Sequence, residues 1–136
     1  MIRPIVRDEM FLAVPSVKAT AEDLKTAADL EDTLNAHRDH CAGMAANMIG
    51  VRKNIIAVAL PVGTLVMFNP LITRKSGRYT AYEGCLSLTG ERSAERWQKI
   101  TVRYQTKAMK TMETEFSGFI AQTIQHEIDH CRGIII

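Results

Sequence analysis

The sequence predicts an α+β fold, with small antiparallel sheets packed around a helix near the carboxyl end. Helical periodicity occurs at residues 20–37 and 117–132, whereas the middle of the chain holds short β-prone segments. The 136 residues suffice for one domain, and a hydrophobic content of 46% is enough for a single core. We therefore expect one compact domain over residues 1–136, without repeats or linkers.

The first predicted helix covers residues 20–37. Thr20 and Asp23 form a capping-box pattern at its start. Apolar residues then recur on one face at Leu24, Ala27, Leu30 and Leu34.

The middle of the chain is predicted to be rich in strands. Residues 55–60 and 65–68 are β-prone, and Pro61-Val62-Gly63 between them indicates a hairpin. Three further features are an interruption or strand end at Asn69-Pro70, a turn at residues 75–78 and a half-buried strand at residues 100–105.

The second predicted helix runs from Ser117, a residue type that caps helices, to Arg132, and Gly133 is a typical stop signal. Its apolar positions with helical spacing are Phe119, Ile120, Ile124 and Ile128. The apolar residues 134–136 are expected to form a final strand or an exposed patch for a partner chain, which leaves monomer and homodimer open.

Composition and charge exclude several classes of protein. With 17 basic and 15 acidic residues the net charge is +2, too small for the basic surface of a nucleic-acid-binding protein. The first ten residues lack the apolar run of a signal peptide, and no segment approaches the roughly 18 apolar residues of a membrane helix. Three cysteines without a secretion signal favour free thiols or metal ligands, so we expect a cytoplasmic protein.

Residues 126–130 form the pattern HExxH on the second predicted helix. Two histidines four residues apart share one helix face, where both can bind the same ion. Glu127 can then reach a water molecule at that ion without binding the metal itself. The alternative is a surface helix with two solvated histidines. A catalytic site also needs a third protein ligand, which a cysteine or a carboxylate could supply.

Two segments resemble signature motifs of the peptide deformylases, enzymes that remove the formyl group from the N-terminal methionine of new bacterial polypeptides. Glu83-Gly84-Cys85-Leu86-Ser87 is similar to the second motif, and Gln125-His126-Glu127-Ile128-Asp129-His130 is similar to the third. Gly43-Met44-Ala45-Ala46 resembles part of the first motif, GxGxAAxQ.

This resemblance implies a site and a reaction. Cys85, His126 and His130 would hold one divalent metal, iron(II) in the usual case, with zinc or nickel as alternatives. Glu127 would act as general acid and base in hydrolysis of the formyl amide, and the backbone N–H of Leu86 would donate to the oxyanion. The substrates would be formylated N-termini of nascent peptides.

The resemblance also places a substrate pocket beside Ala42, Gly43 and Gly84. We expect the inner face of the second helix, around Phe119, Gln122 and Thr123, to complete this pocket. The polar side chains of Gln122 and Thr123 make it less apolar than a methionine side chain prefers.

The first motif departs from the family pattern at two positions. Met48 occupies the place of the glutamine whose amide donates to the formyl oxygen, and a thioether cannot donate a hydrogen bond. Cys41 replaces the first glycine. The neighbouring amide of Asn47 could substitute only if the backbone rotates, because adjacent helical residues point about 100° apart. Two hypotheses follow: a deformylase with reduced activity, or a weakly active or inactive binding and regulatory module.

Overall fold

Five antiparallel strands form one sheet in the order β1-β2-β3-β4-β5, with an α-helix packed on each face. The computed structural model describes the backbone of residues 1–136 and every side chain apart from that of Leu88. The strands are β1 (Gly43–Ala45), β2 (Ile55–Ala59), β3 (Thr64–Cys85), β4 (Leu88–Gln105) and β5 (Thr111–Ser117). The α-helices are α1 (Glu9–Leu12), α2 (Leu24–Ala36) and α3 (Gly118–Cys131). The predicted α+β class is confirmed, although the strands join in one sheet rather than several small ones.

The core lies on both faces of the sheet. Successive side chains of a strand point to opposite faces, so in β2 Ile55 and Ala57 pack with α2 whereas Ile56 and Val58 pack with α3. All four are almost fully buried. A strand covered on both sides has no polar face, which explains why residues 55–58 are apolar without alternation.

The predicted first helix is confirmed and begins with one 3₁₀ turn, Ala21–Asp23. The backbone N–H of Thr20 donates to Asp23 Oδ2 at 2.8 Å, and the N–H of Glu22 donates to Thr20 Oγ1 at 3.3 Å. The capping box read from the sequence therefore fixes where the chain turns into α2.

The predicted hairpin is also confirmed. Ala59 of β2 pairs with Thr64 of β3, and the N–H of Leu60 donates to the carbonyl of Gly63 at 3.1 Å. Gly63 has a φ of 84°, a conformation that glycine adopts without steric cost.

Of the two expectations for Asn69-Pro70, the strand end is wrong, because β3 continues through it to Cys85, whereas the interruption is confirmed. Asn69 has a φ of 53°, and the pairing with β4 shifts register between Phe68 and Leu71. This irregularity accommodates a proline, which has no N–H for the ladder.

The predicted turn at residues 75–78 is wrong as well. Ser76 pairs with Lys99 and Arg78 pairs with Trp97, so the segment stays within β3. Gly77 has a φ of 76°, and a Cβ there would lie 2.9 Å from the Cβ of Gln98. The glycine therefore marks a local deformation inside a long strand, whose partner β4 includes the predicted strand at residues 100–105.

The predicted second helix is confirmed as α3, and Gly133 ends it with a φ of 76°. Ser117 precedes α3 in an extended conformation, but its side chain makes no capping hydrogen bond to the described residues. Residues 134–136 form no strand, so that alternative is wrong, and the patch for a partner chain stays a prediction. Ile136 is buried and Ile134 is 45% exposed. None of the helices in the described part of the chain combines the length and apolar character needed to cross a membrane.

Candidate metal centre and substrate pocket

The HExxH helix and the end of β3 bring three metal-binding side chains together. Cys85 Sγ and the ring nitrogens of His126 and His130 all lie within 4.8 Å of one another. The histidines are buried on one face of α3, and the cysteine lies at the last residue of β3. A thiolate with two imidazoles suits zinc, iron, cobalt or nickel, so this cluster has the donor set of a divalent metal site.

The ring of His126 is oriented by a carboxylate. Its Nδ1 lies 2.8 Å from Glu83 Oε1, which leaves Nε2 directed toward His130 Nε2 at 3.0 Å. A carboxylate on the far nitrogen is the usual partner of a metal-binding histidine. The arrangement therefore presents two Nε2 atoms to the same point in space.

Glu83 is itself held by several donors. Arg96 Nε donates to Oε2 at 2.9 Å and its Nη2 donates to Oε1 at 2.6 Å, while Gln122 Nε2 donates to Oε2 at 2.9 Å. Burial opposes ionisation of Glu83, but hydrogen bonds from His126, Arg96 and Gln122 outweigh it and lower the pKa to about 2. Glu83 is therefore a fixed negative charge behind His126.

The buried groups favour a positive charge at His126. Burial alone would lower the pKa of His126, but hydrogen bonds to Cys85 and Glu83 outweigh it and raise the pKa to about 10. Burial and the charge of His126 lower the pKa of His130 to about 3. A cation between these side chains, whether a proton or a metal ion, therefore satisfies the electrostatics of the cluster.

Glu127 follows the first histidine and is buried beside Gly43. A Cβ on Gly43 would lie 3.1 Å from Glu127 Cγ and 2.7 Å from Thr123 Cγ2, so only glycine fits there. Oε1 of Glu127 has no hydrogen-bond partner among the described residues. Burial raises the pKa of this carboxyl to about 7, which suits a group that both accepts and donates a proton near neutral pH.

A cavity of about 1000 Å³ opens beside this cluster. Its wall includes the residues that we predicted for substrate binding, Ala42, Gly43 and Gly84. Leu86 and the α3 residues Phe119, Gln122 and Thr123 line it as well. The structure thus brings the predicted substrate-binding residues to one pocket, and their roles toward substrate stay predictions.

Part of the altered first motif also lines this cavity. Met48 lines it, and its sulfur accepts a long contact of 3.5 Å from the N–H of Ala45. The amide of Asn47 donates to the carbonyl of His130 at 2.9 Å, so it is directed at α3. Cys41 donates to the carbonyl of Gly43 at 2.9 Å, and burial raises the pKa of this thiol to about 12.

Sequence reasoning missed the residues that support the metal-binding side chains. It assigned no role to Glu83 or Arg96, although Glu83 stands two positions before Cys85 in a motif already identified. Arg96 Nη1 donates to Asp129 Oδ2 at 2.8 Å. Gln125 bonds through its amide to both the N–H and the carbonyl of Trp97, each at 2.9 Å.

Comparisons with known proteins agree with this site. The family model described as polypeptide deformylase matches residues 6–136. A peptide deformylase of Clostridium beijerinckii is 47% identical over 138 residues and is covered over its full length, as is this chain. A class I type b peptide deformylase from Acinetobacter baumannii has a TM-score of 0.89 at 31% identity, with 99% of this chain and 97% of that chain covered. The same enzyme bound to Met-Ala-Ser gives a TM-score of 0.88 at 29% identity, with the same coverage. The chain therefore belongs to the peptide deformylase family.

Proposed function

We propose that this protein removes the formyl group from N-terminal formylmethionine of nascent polypeptides and releases formate. The observation that carries the proposal is the unpaired, buried Oε1 of Glu127 beside the cluster of Cys85, His126 and His130. A structural metal site has no need of a carboxylate kept without a partner at its side. The hypothesis of a binding or regulatory module accounts for Met48 but leaves this carboxylate unexplained.

Cys85, His126 and His130 would hold the ion, and we propose iron(II), with zinc or nickel as alternatives. When bound, the ion supplies Lewis acidity that activates water and polarises the formyl group. Deprotonated Cys85 and neutral histidines are the states that bind metal, so affinity for the ion falls at low pH. Glu83 keeps His126 in the orientation that faces the ion.

Glu127 moves the proton in this reaction. Its carboxylate takes a proton from the attacking water and delivers it to the amine that leaves as the C–N bond breaks. A pKa of about 7 makes both directions of transfer accessible at neutral pH. Because Oε1 has no partner among the described residues, the fold imposes no hydrogen bond that the proton transfer would have to break.

Other residues of the cavity would contact the oxyanion and the peptide. The backbone N–H of Leu86 donates to the developing oxyanion, while Met48 offers no donor at the second position. Ala42, Gly43 and Gly84 bring the backbone close to the substrate, since small residues leave room for it. The reaction takes place in the cytoplasm, where formylated nascent N-termini occur.

The test is formate release from formyl-Met-Ala-Ser by protein purified anaerobically with iron(II). We expect turnover in the wild type and a fall of about 10²–10⁴-fold in kcat for Glu127→Gln, which keeps the shape but loses the base. Metal content measured on both proteins is the control, because the variant retains all three ligands. Metal-loaded wild type that releases no formate would contradict the proposal.

A further inference from the structure

Gln122 is a polar pocket residue whose role in the proposed reaction is limited to its hydrogen bond with Glu83. It lies on α3 four residues before His126 and therefore on the same face, about 6 Å away along the helix axis. Its side chain is partly buried and lines the cavity beside Cys85, His126 and His130. The side-chain amide of Gln122 therefore forms part of the cavity wall, about one helical turn from the metal-binding residues.

The amide of Gln122 is held in one orientation. Nε2 donates to Glu83 Oε2 at 2.9 Å, and Oε1 accepts from the Tyr79 hydroxyl at 3.4 Å. A primary amide carries two N–H donors, and the second has no acceptor among the described residues. The pocket wall therefore presents one oriented N–H donor.

Thr123, the other polar residue on this part of α3, differs in this respect. Its hydroxyl donates to the carbonyl of Phe119 at 2.9 Å within the helix. That donor is already used, which makes Gln122 the better candidate for a contact with substrate.

The chemistry of the substrate places its first side chain near this donor. That side chain is attached to the carbon bearing the scissile amide nitrogen, so it enters the cavity next to Cys85, His126 and His130. The sulfur of methionine is the δ atom of its side chain. Its distance from the reacting atoms is therefore about the length of one helical turn. Gln122 lies one turn from His126, so its free N–H is within reach of the sulfur end.

A thioether is only a weak acceptor, whereas methionine sulfoxide carries a polar S=O group. An apolar pocket would bury that oxygen without a partner, which is unfavourable. We propose that this protein also deformylates peptides beginning with N-formylmethionine sulfoxide, with Gln122 donating a hydrogen bond to the sulfoxide oxygen.

This inference rests on the proposed function and adds a substrate class to it. The reaction consumes one water: the formyl C–N bond breaks, a C–O bond forms, formate leaves and the amine takes up a proton. The sulfoxide keeps its oxidation state, so no oxidant or reductant is required.

The test compares kcat/KM for formyl-Met-Ala-Ser with that for its methionine sulfoxide analogue. We expect the two values to agree within about tenfold in the wild type, because the donor offsets the cost of burying the oxygen. Gln122→Met, which has similar volume and no donor, should lower the sulfoxide-to-methionine ratio by about 10–100-fold. The ratio is the readout because Gln122 also bonds Glu83, so both absolute rates fall in this variant.

Two further variants make the test specific. Thr123→Val removes a hydroxyl that is satisfied within α3 and should leave the ratio unchanged. Tyr79→Phe removes the hydroxyl that fixes the Gln122 carbonyl and should lower the ratio by less than Gln122→Met does.

A ratio unaffected by Gln122→Met, or wild type that hydrolyses only the methionine peptide, overturns this inference and leaves the proposed function standing. Wild type that releases formate from neither peptide overturns both.

Discussion

The two walls of the pocket use their polar side chains in different ways. One wall is formed by α3 and the end of β3, and behind it Arg96 of β4 joins Glu83 to Asp129 and thereby fixes the charge next to His126. The other wall includes residues 41–43 and Met48 of the first motif, where Cys41 and the adjacent Asn47 direct their donors at the protein's own carbonyls. The first wall has the donors that a divalent cation requires, whereas on the second Met48 has no hydrogen-bond donor at the position where the resemblance to the family predicts one.

Among substitutions that test this difference between the walls, Arg96→Met should have the largest effect on stability and metal affinity. It leaves Glu83, whose side chain is only 6% exposed, with an uncompensated charge. Removal of one partner of a buried ion pair costs about 3–5 kcal/mol, so we expect that loss in the free energy of unfolding, measured by urea titration at neutral pH. Metal affinity should fall about 10–100-fold, because His126 loses its fixed support.

A surface pair provides the matched control for Arg96. Arg78 and Glu95 also form an ion pair between β3 and β4, but their side chains are 61% and 62% exposed. Arg78→Met should therefore change the unfolding free energy by less than about 1 kcal/mol. Equal effects of the two substitutions would show that the network behind His126 contributes no more to the unfolding free energy than a surface ion pair does.

Restoring the donor on the other wall should give the next largest effect. Met48→Gln puts an amide where Met48 now lines the cavity, and one oxyanion donor is worth about 10²–10³ in turnover. We expect kcat for formyl-Met-Ala-Ser to rise by up to that factor, with the metal content unchanged.

Met48→Leu is the control, since it changes the side chain without adding a donor. Its kcat should stay near that of the wild type. If Met48→Gln is no faster than Met48→Leu, the oxyanion is already fully stabilised by other groups, and the difference between the walls has no catalytic consequence.

Local signals in the sequence predicted the three metal-binding side chains of the first wall. The HExxH spacing, the position of Cys85 and the stop at Gly133 are short-range patterns, and the structure brings Cys85, His126 and His130 together as the resemblance implied. The support from Arg96 was missed because Arg96 and Glu83 are 13 residues apart, on strands whose pairing register no local pattern sets.

The same limitation explains the errors in the strands. Asn69-Pro70 and Gly77 carry the signals of turns, yet both lie inside β3. Long pairing with β4 and a local irregularity outweigh those preferences, since tertiary contacts routinely override local propensity. The orientation of Asn47 was likewise decided by packing, because its partner His130 is 83 residues away.

The smallest effect tests that orientation of Asn47. Its side chain is fully buried and donates to the carbonyl of His130, so Asn47→Ala should lower the unfolding free energy by about 1–2 kcal/mol. Asn35→Ala, which alters an exposed asparagine, should change it by less than about 0.5 kcal/mol. If Asn47 instead supplied the missing oxyanion donor, kcat would fall about 10²–10³-fold with little loss of stability. A loss of stability with turnover within a few-fold of the wild type would show that Asn47 stabilises the fold. The altered motif would then hold α3 in position rather than stabilise the oxyanion.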